Sequence, residues 1–415
     1  MSVEENRVAA SALDTSRKQT RLPKMNLWRR AIVAVLHHLE KGHLTLVFPE
    51  GDRAEFGHRT SEAPAVEVRI HRERTFRRLA LGGHLSLAEC YMEGDWSCSD
   101  LTDLFELFLI NTRSFRGIHL KGTATRWLNR LMHWMNANTK RGSKRNIAFH
   151  YDLGNAFYEQ WLDPSMTYSS AYRYNEGQAL ETAQQQKYDR VLDLAEAKAG
   201  DRILEIGCGW GGFAEKAAER DAFVHGVTLS NEQLTYARQR SLAKNFSENA
   251  QFELRDYRDT DGSYDHIVSI EMIEAVGKDN WDHYFSIIHD RLKDNGSAVI
   301  QAIVIEDGRY DQYSKSVDFI QKYIFPGGML PSPSVLKKII ERCGLKLVHE
   351  EYFGHDYART LAAWNERFTE AWPRISSMNF DERFKRMWHY YLAYCEAGFK
   401  AKSIDVGFFK VVRAF

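Results

Sequence analysis

LEIGCGWGGFA (Leu204–Ala214) decides how this chain is read. It is an apolar strand, a glycine turn and the start of a helix, and Gly207, Gly209 and Gly212 satisfy GxGxxG. Glycines are needed there because the backbone must turn sharply and approach a ligand with no Cβ in the way. GxGxxG alone is a weak signal: it also suits a dinucleotide site, or a turn that holds no ligand. Two details favour a methyl donor over a dinucleotide. An acid, Glu205, stands two residues before the first glycine, as in the ExGxGxG-like loop of class I methyltransferases. The NAD reading needs an Asp or Glu about 20 residues on for the ribose diol, and the sequence there is VTLS (Val227–Ser230).

Outward from this loop, RILEI (Arg202–Ile206), FVHGVTL (Phe223–Leu229), HIVSI (His266–Ile270) and SAVIQAIVI (Ser297–Ile305) are separated by helix-like segments. Such βα alternation predicts a parallel sheet covered by helices. From about Lys315 to Tyr394 the pattern is mostly helical and rich in aromatics, and the chain ends on a β-like VGFFKVV. LRDYRD (Leu254–Asp259) follows QFEL, where a class I methyltransferase presents an acid and an aromatic to adenine. Asp256 would accept from the adenine amino group and Tyr257 would stack on the ring; read alone, the string is a polar β-to-α loop.

Upstream, LTLVF (Leu44–Phe48) and VEVRI (Val66–Ile70) precede helical periods at Leu85–Tyr91 and Leu101–Ile110, a small α+β domain over residues 25–112. Residues 1–24 are polar and read as a disordered tail. Asn111–His150 has no Asp or Glu and many Lys and Arg, with Trp127, Leu131, Trp134 and Met135 at helical spacing. A basic amphipathic linker over 113–149 suits an anionic bilayer surface; the plainer reading is an interdomain helix packing its apolar stripe on a neighbour. Residues 150–415 form the third and largest unit.

Lys+Arg and Asp+Glu balance at 56 each, so no overall field points to nucleic acid. Five scattered cysteines have no metal-ligand spacing, which predicts no metal site and a reduced, cytoplasmic compartment. No apolar run approaches the ~20 residues of a membrane span, and the N-terminus lacks the apolar core of a signal peptide. A lipid substrate would therefore be met from the membrane surface, at the inner face, with a homodimer left open.

Several strings together resemble one family, the cyclopropane-fatty-acyl-phospholipid synthases, which include the mycolic acid cyclopropane synthases. They are HYDLGNAFYEQWLDPSMTYSSAY (His150–Tyr172), the glycine loop, GVTLSNEQ (Gly226–Gln233), RDYRD, KYIFPGGMLPS (Lys322–Ser332), DYARTLAAWNERF (Asp356–Phe368) and ERFKRMWHYYLAYCEAGF (Glu382–Phe399). The resemblance implies a class I methyltransferase Rossmann-like fold with helical lipid-pocket insertions, and transfer of a one-carbon unit from S-adenosylmethionine to an acyl-chain double bond. By it Tyr168 and Ser169 close over S-adenosylmethionine, Gly207 and Gly209 pass under its methionine part, and Thr228, Leu229 and Gln233 take the ribose. It also implies a bicarbonate ion as the base, held by Glu274, Tyr357, Gln301 and the backbone at Ser170 and Ile303. Cys395 reads as a wall of the pocket, since no His partner stands near it in sequence.

Several positions depart from the commonest bacterial form: Ser170 and Gln301 stand in place of Cys and His, and IEAVG (Ile273–Gly277) in place of FEHVG. Together with GRYDQY (Gly308–Tyr313) they look more like the plant-type branch. Gln can donate to bicarbonate but cannot titrate near neutral pH. The departures leave the product open between a cyclopropane and a methyl-branched or methylene-bearing chain. Two rivals are a methyltransferase of a small soluble acceptor and a silent lipid-binding protein that holds the nucleotide.

Overall fold

The computed structural model describes residues 25–115 and 153–414. The expected tail and nearly all of the expected basic amphipathic segment lie outside the described residues.

The larger sheet has seven strands in the order β10-β11-β9-β8-β5-β6-β7. They are β5 (Arg202–Ile206), β6 (Phe223–Thr228), β7 (Ala250–Leu254), β8 (Tyr264–Ile270), β9 (Leu292–Ile305), β10 (Leu345–Tyr352) and β11 (Ile404–Arg413). β7, β6, β5, β8 and β9 run parallel, and β11 lies antiparallel between β9 and β10. This is the Rossmann-like α/β arrangement expected from the strand runs. Neighbouring residues go to opposite faces: Ile203, Val268, Val299 and Phe408 join one core, while Leu204, Ile267, Ala298 and Phe409 join the other. Both faces are therefore covered, which is why the central strands carry near-continuous apolar runs.

β10 was not legible. It falls inside the segment expected to be mostly helical, and its sequence LKLVHEEY carries three charged residues and a histidine. Its burial alternates strictly along the strand, as an edge strand with one wet face requires.

The small domain is a four-stranded sheet, order β2-β1-β3-β4, from β1 (His43–Val47), β2 (Arg53–Gly57), β3 (Ala65–Ile70) and β4 (Trp96–Cys98). β1 and β3 are the two runs read from the sequence; β2, with its charged RAEFG, and the three-residue β4 were missed. The helices Arg74–Met92 and Leu101–Ile110 cover it and pack on the long helix Glu382–Lys400 of the larger unit. Phe105 meets Tyr390 edge-on at 4.7 Å, Lys322 pairs with Glu89 at 2.7 Å, and Thr102 donates to Glu396 at 3.0 Å. One hydrophobic core runs through both units without a break.

Candidate active site

A cavity of about 590 Å3 opens at the carboxyl ends of the parallel strands, the usual ligand position in such sheets. At one end is the glycine loop between β5 and the helix Gly212–Ala218. Gly207, Gly209 and Gly211 have φ of +85°, +50° and +81°, so the turn is built from left-handed backbone. A Cβ at Gly207 would stand 2.4 Å from Met272 Cγ, while at Gly209 it would meet nothing within 4 Å. The loop is a cradle: packed behind Gly207, open above Gly209.

Around it lie the other residues expected to hold the methyl donor. Tyr168, Ser169, Thr228, Leu229, Gln233, Asp256 and Tyr257 all line the cavity. Thr228 Oγ1 donates to Gln233 Oε1 at 3.0 Å, which fixes the amide across the end of β6. Tyr168 and Tyr391 share a hydrogen bond of 2.7 Å between hydroxyls. Asp256 differs from its expected role in one respect. Arg258 binds both its oxygens, at 2.8 and 2.6 Å, so an adenine amino group would share this acid with a guanidinium.

Several buried polar atoms here have no protein partner: Glu205 Oε2 beneath the loop, Tyr257 Oη, and Glu274 Oε2. An unpaired buried polar atom is costly unless something else satisfies it. A cradle shaped by glycines, with orphaned acceptors beside it, fits an amine- and ribose-bearing nucleotide. Burial pushes the Glu205 carboxyl well up from its ordinary value. Lys187, from the helix Leu180–Ala195, is buried nearby with Nζ likewise unpartnered. Burial pulls its pKa down to about 7 against the opposing pull of Glu271, Asp163 and Glu205. Nothing in LETAQQQKYDRVLDLA marked this lysine, which reads as one more solvated helix residue.

The residues expected to hold bicarbonate are arranged differently from the expectation. Gln301 and Ser170 are fully buried and form no part of the cavity wall. Glu271, which the sequence reading passed over, lines the cavity and takes their hydrogen bonds. Its Oε1 accepts from Gln301 Nε2 at 2.7 Å, Ser169 Oγ at 2.6 Å and the Ser170 backbone N at 3.1 Å. Its Oε2 accepts from the Tyr357 hydroxyl at 2.6 Å. Burial and the Glu271 carboxylate hold the Tyr357 phenol well above its ordinary pKa, so it stays a donor. The last expected donor, the Ile303 backbone N, binds Glu274 Oε1 at 2.5 Å. Burial, and next the neighbouring Glu271 charge, push Glu274 up to about 8. Every donor expected for the ion is thus engaged by a carboxylate of the chain, and a further anion would face like charge. The residues present do not fit bicarbonate.

Beyond the carboxylates the cavity is mostly apolar and aromatic, although Arg309, Gln312, Ser316, Asp318 and Gln321 also reach its wall. Phe325, Leu361, Tyr391, Tyr394, Phe399 and Ile404 form this chamber. Cys395 is also on its wall; burial raises its thiol pKa, so it is no thiolate nucleophile. Three residues of the small domain, His84, Leu109 and Thr112, close the cavity's edge. No group of metal-binding side chains occurs among the described residues.

The chain was compared with known proteins. The family model for mycolic acid cyclopropane synthetase matches residues 138–409. A tuberculostearic acid methyltransferase of Mycobacterium tuberculosis is 36% identical over all of this chain and 99% of its own length. The cyclopropane-fatty-acyl-phospholipid synthase of Escherichia coli is 38% identical over 83% of this chain and 87% of its own. Among solved structures, a mycolic acid cyclopropane synthase complexed with SAH and CTAB superposes with a TM-score of 0.60 at 29% identity, covering 65% of this chain and 97% of that one.

Proposed function

The chain belongs to the mycolic acid cyclopropane synthetase family and is an S-adenosylmethionine-dependent methyltransferase, and from that premise we propose that it adds a one-carbon unit to the double bond of an unsaturated phospholipid acyl chain, forming a cyclopropane. The observation that carries this is the continuity of one cavity from the glycine loop into an aromatic chamber. A small polar acceptor gains little from walls that are mostly apolar. An acyl chain needs apolar walls.

S-adenosylmethionine supplies a sulfonium methyl, whose carbon the alkene π electrons can take to leave S-adenosylhomocysteine and a carbocation on the acyl chain. The protein's part is to hold the alkene in line with that methyl and keep water out. Tyr168, Tyr391 and Tyr394 line the cavity, and aromatic rings beside a carbocation can stabilise it through their quadrupoles. Tyr357, stacked on Phe399 at 4.5 Å, keeps its hydroxyl on Glu271 and its ring on the chamber. No step is assigned to bicarbonate.

A second reading shares the cation and differs in its fate. The relative matched along the whole chain is named a tuberculostearic acid methyltransferase. A hydride shift followed by proton loss would leave a methylene group, and a saturated methyl branch would further need a hydride donor. The acceptor lipid lies in a bilayer, which the protein on this reading meets at the cytoplasmic surface; no helix among the described residues is long and apolar enough to cross one.

The test is to incubate the protein with S-adenosylmethionine and vesicles of mono-unsaturated phosphatidylglycerol and phosphatidylethanolamine, then analyse the fatty acid esters. A gain of one CH2 with upfield ring protons in the NMR spectrum is expected. A gain with olefinic protons retained would establish the second reading. No gain on any acyl chain would exclude both.

A further inference from the structure

We propose that Glu271 is a built-in base: its carboxylate stands where the resemblance expected a bicarbonate ion, and takes the proton that closes the ring. This rests on the methyl-transfer reading above and adds to it the identity of the proton acceptor.

Three independent features place Glu271 in that role. Four donors from three parts of the chain converge on its two oxygens, at 2.6 to 3.1 Å. Those donors include Gln301, Tyr357 and the Ser170 backbone, three of the groups expected to hold the free ion. Ser169 and Gln301 are themselves linked at 3.1 Å, and Gln301 and Ser170 at 3.0 Å, so the cluster orients the carboxylate rigidly.

Second, Glu271 stands immediately after β8 with φ of +53°, a left-handed conformation that L side chains other than Asn and Asp rarely adopt. Its backbone N donates to Gln301 O at 2.9 Å, which pins the kink to the neighbouring strand. A glycine would take this conformation without cost, so the side chain is retained against local strain. Such strain concentrates at functional sites.

Third, Glu271 lines the same cavity wall as the glycine loop, beside Met272 and Glu274. Glu274, pushed up to about 8, carries a proton at neutral pH and adds no second charge there.

The step balances without a co-reactant. A C–H bond of the newly attached methyl breaks, and its electron pair forms the third ring bond at the cationic carbon. The proton passes to a Glu271 oxygen, and the resulting carboxylic acid returns it to water after product leaves. A carbocation makes that C–H strongly acidic, so an ordinary carboxylate is base enough. What matters is that it is fixed in place and shielded from solvent.

The experiment compares wild type, Glu271→Gly and Glu271→Gln in CO2-free buffer with and without added bicarbonate, using the vesicle assay. Wild-type turnover should be the same in both. Glu271→Gly, which clears the site and suits the φ, should lose at least ~100-fold without bicarbonate, in keeping with a general base, and recover when it is added. Glu271→Gln should lose as much and not recover, because the amide still fills the space. A wild type that needs bicarbonate, or a Glu271→Gly that needs none, would overturn the proposal. S-adenosylhomocysteine affinity by calorimetry shows that each variant is folded; should Glu271→Gly fail it, Glu271→Ala with formate as the rescuing anion replaces it under the same criteria. A direct readout separates this claim from the methyl-transfer reading. Line broadening of [13C]bicarbonate should appear with Glu271→Gly and not with wild type, whatever either does to vesicles; broadening by wild type that Tyr357→Phe removes would overturn the proposal even in a protein with no lipid activity.

Discussion

Two glutamates three residues apart divide the chemistry at the end of β8. Glu274 is pushed up to about 8 by burial and by Glu271. Between 4.5 and about 8 the native state keeps a proton that the unfolded chain has released. Stability therefore falls as pH rises through that window and levels off above it. Glu274→Gln, neutral at every pH, removes this slope. Its melting temperature should match wild type near about pH 5 and exceed it near about pH 9, by at least ~2 °C, given roughly 2–4 °C per kcal/mol in large domains. Melting curves that stay parallel across pH would show that Glu274 is not held protonated. The sequence singled out Glu274 from SIEMIEAVG and missed Glu271 in the same string. Residue type and spacing cannot show that a strand ends in a left-handed turn and swings its side chain onto Gln301 and Tyr357. Lys187 was missed for a similar reason: a lysine is read as solvated until the packing buries it.

At the scale of elements, the glycine loop was the most legible part, because its conformation is demanded by its own residues. Three glycines at positive φ leave few alternatives to a tight turn under a ligand. Gly207→Ala would place a methyl 2.4 Å from Met272 Cγ in a backbone conformation alanine resists. Calorimetry should find S-adenosylhomocysteine binding weakened at least ~10-fold, with a lowered melting temperature; unchanged binding would mean the loop is not the cradle. The parallel strands were equally legible from their apolar runs. β10 was hidden, because Lys346, Glu350 and Glu351 in an edge strand with one wet face imitate a polar helix. The turn of helix Ile273–Val276 that carries Glu274 is short; β9 holds it through the Ile303 backbone, and Met329 N and the Trp281 indole donate to its carbonyls.

The whole molecule is less divisible than its sequence suggested. A boundary near residue 112 was read from the change of pattern, yet His84, Leu109 and Thr112 reach the edge of the cavity. The helix Glu382–Lys400 turns Tyr390 toward the small domain and Tyr391 toward the active-site chamber. Such sharing depends on which faces meet across a long stretch of chain, and periodicity within a segment does not contain that. The account's central claim is that methyl carbon goes to an acyl double bond and then gives up one hydrogen. It is tested most directly with S-adenosylmethionine bearing a CD3 group, mono-unsaturated phospholipid vesicles and mass spectrometry of the released acyl chains. The account predicts a gain of CD2, one deuteron having passed from the new methyl to the protein. Label that keeps all three deuterons, or that appears on the head group and not the acyl chain, would contradict it.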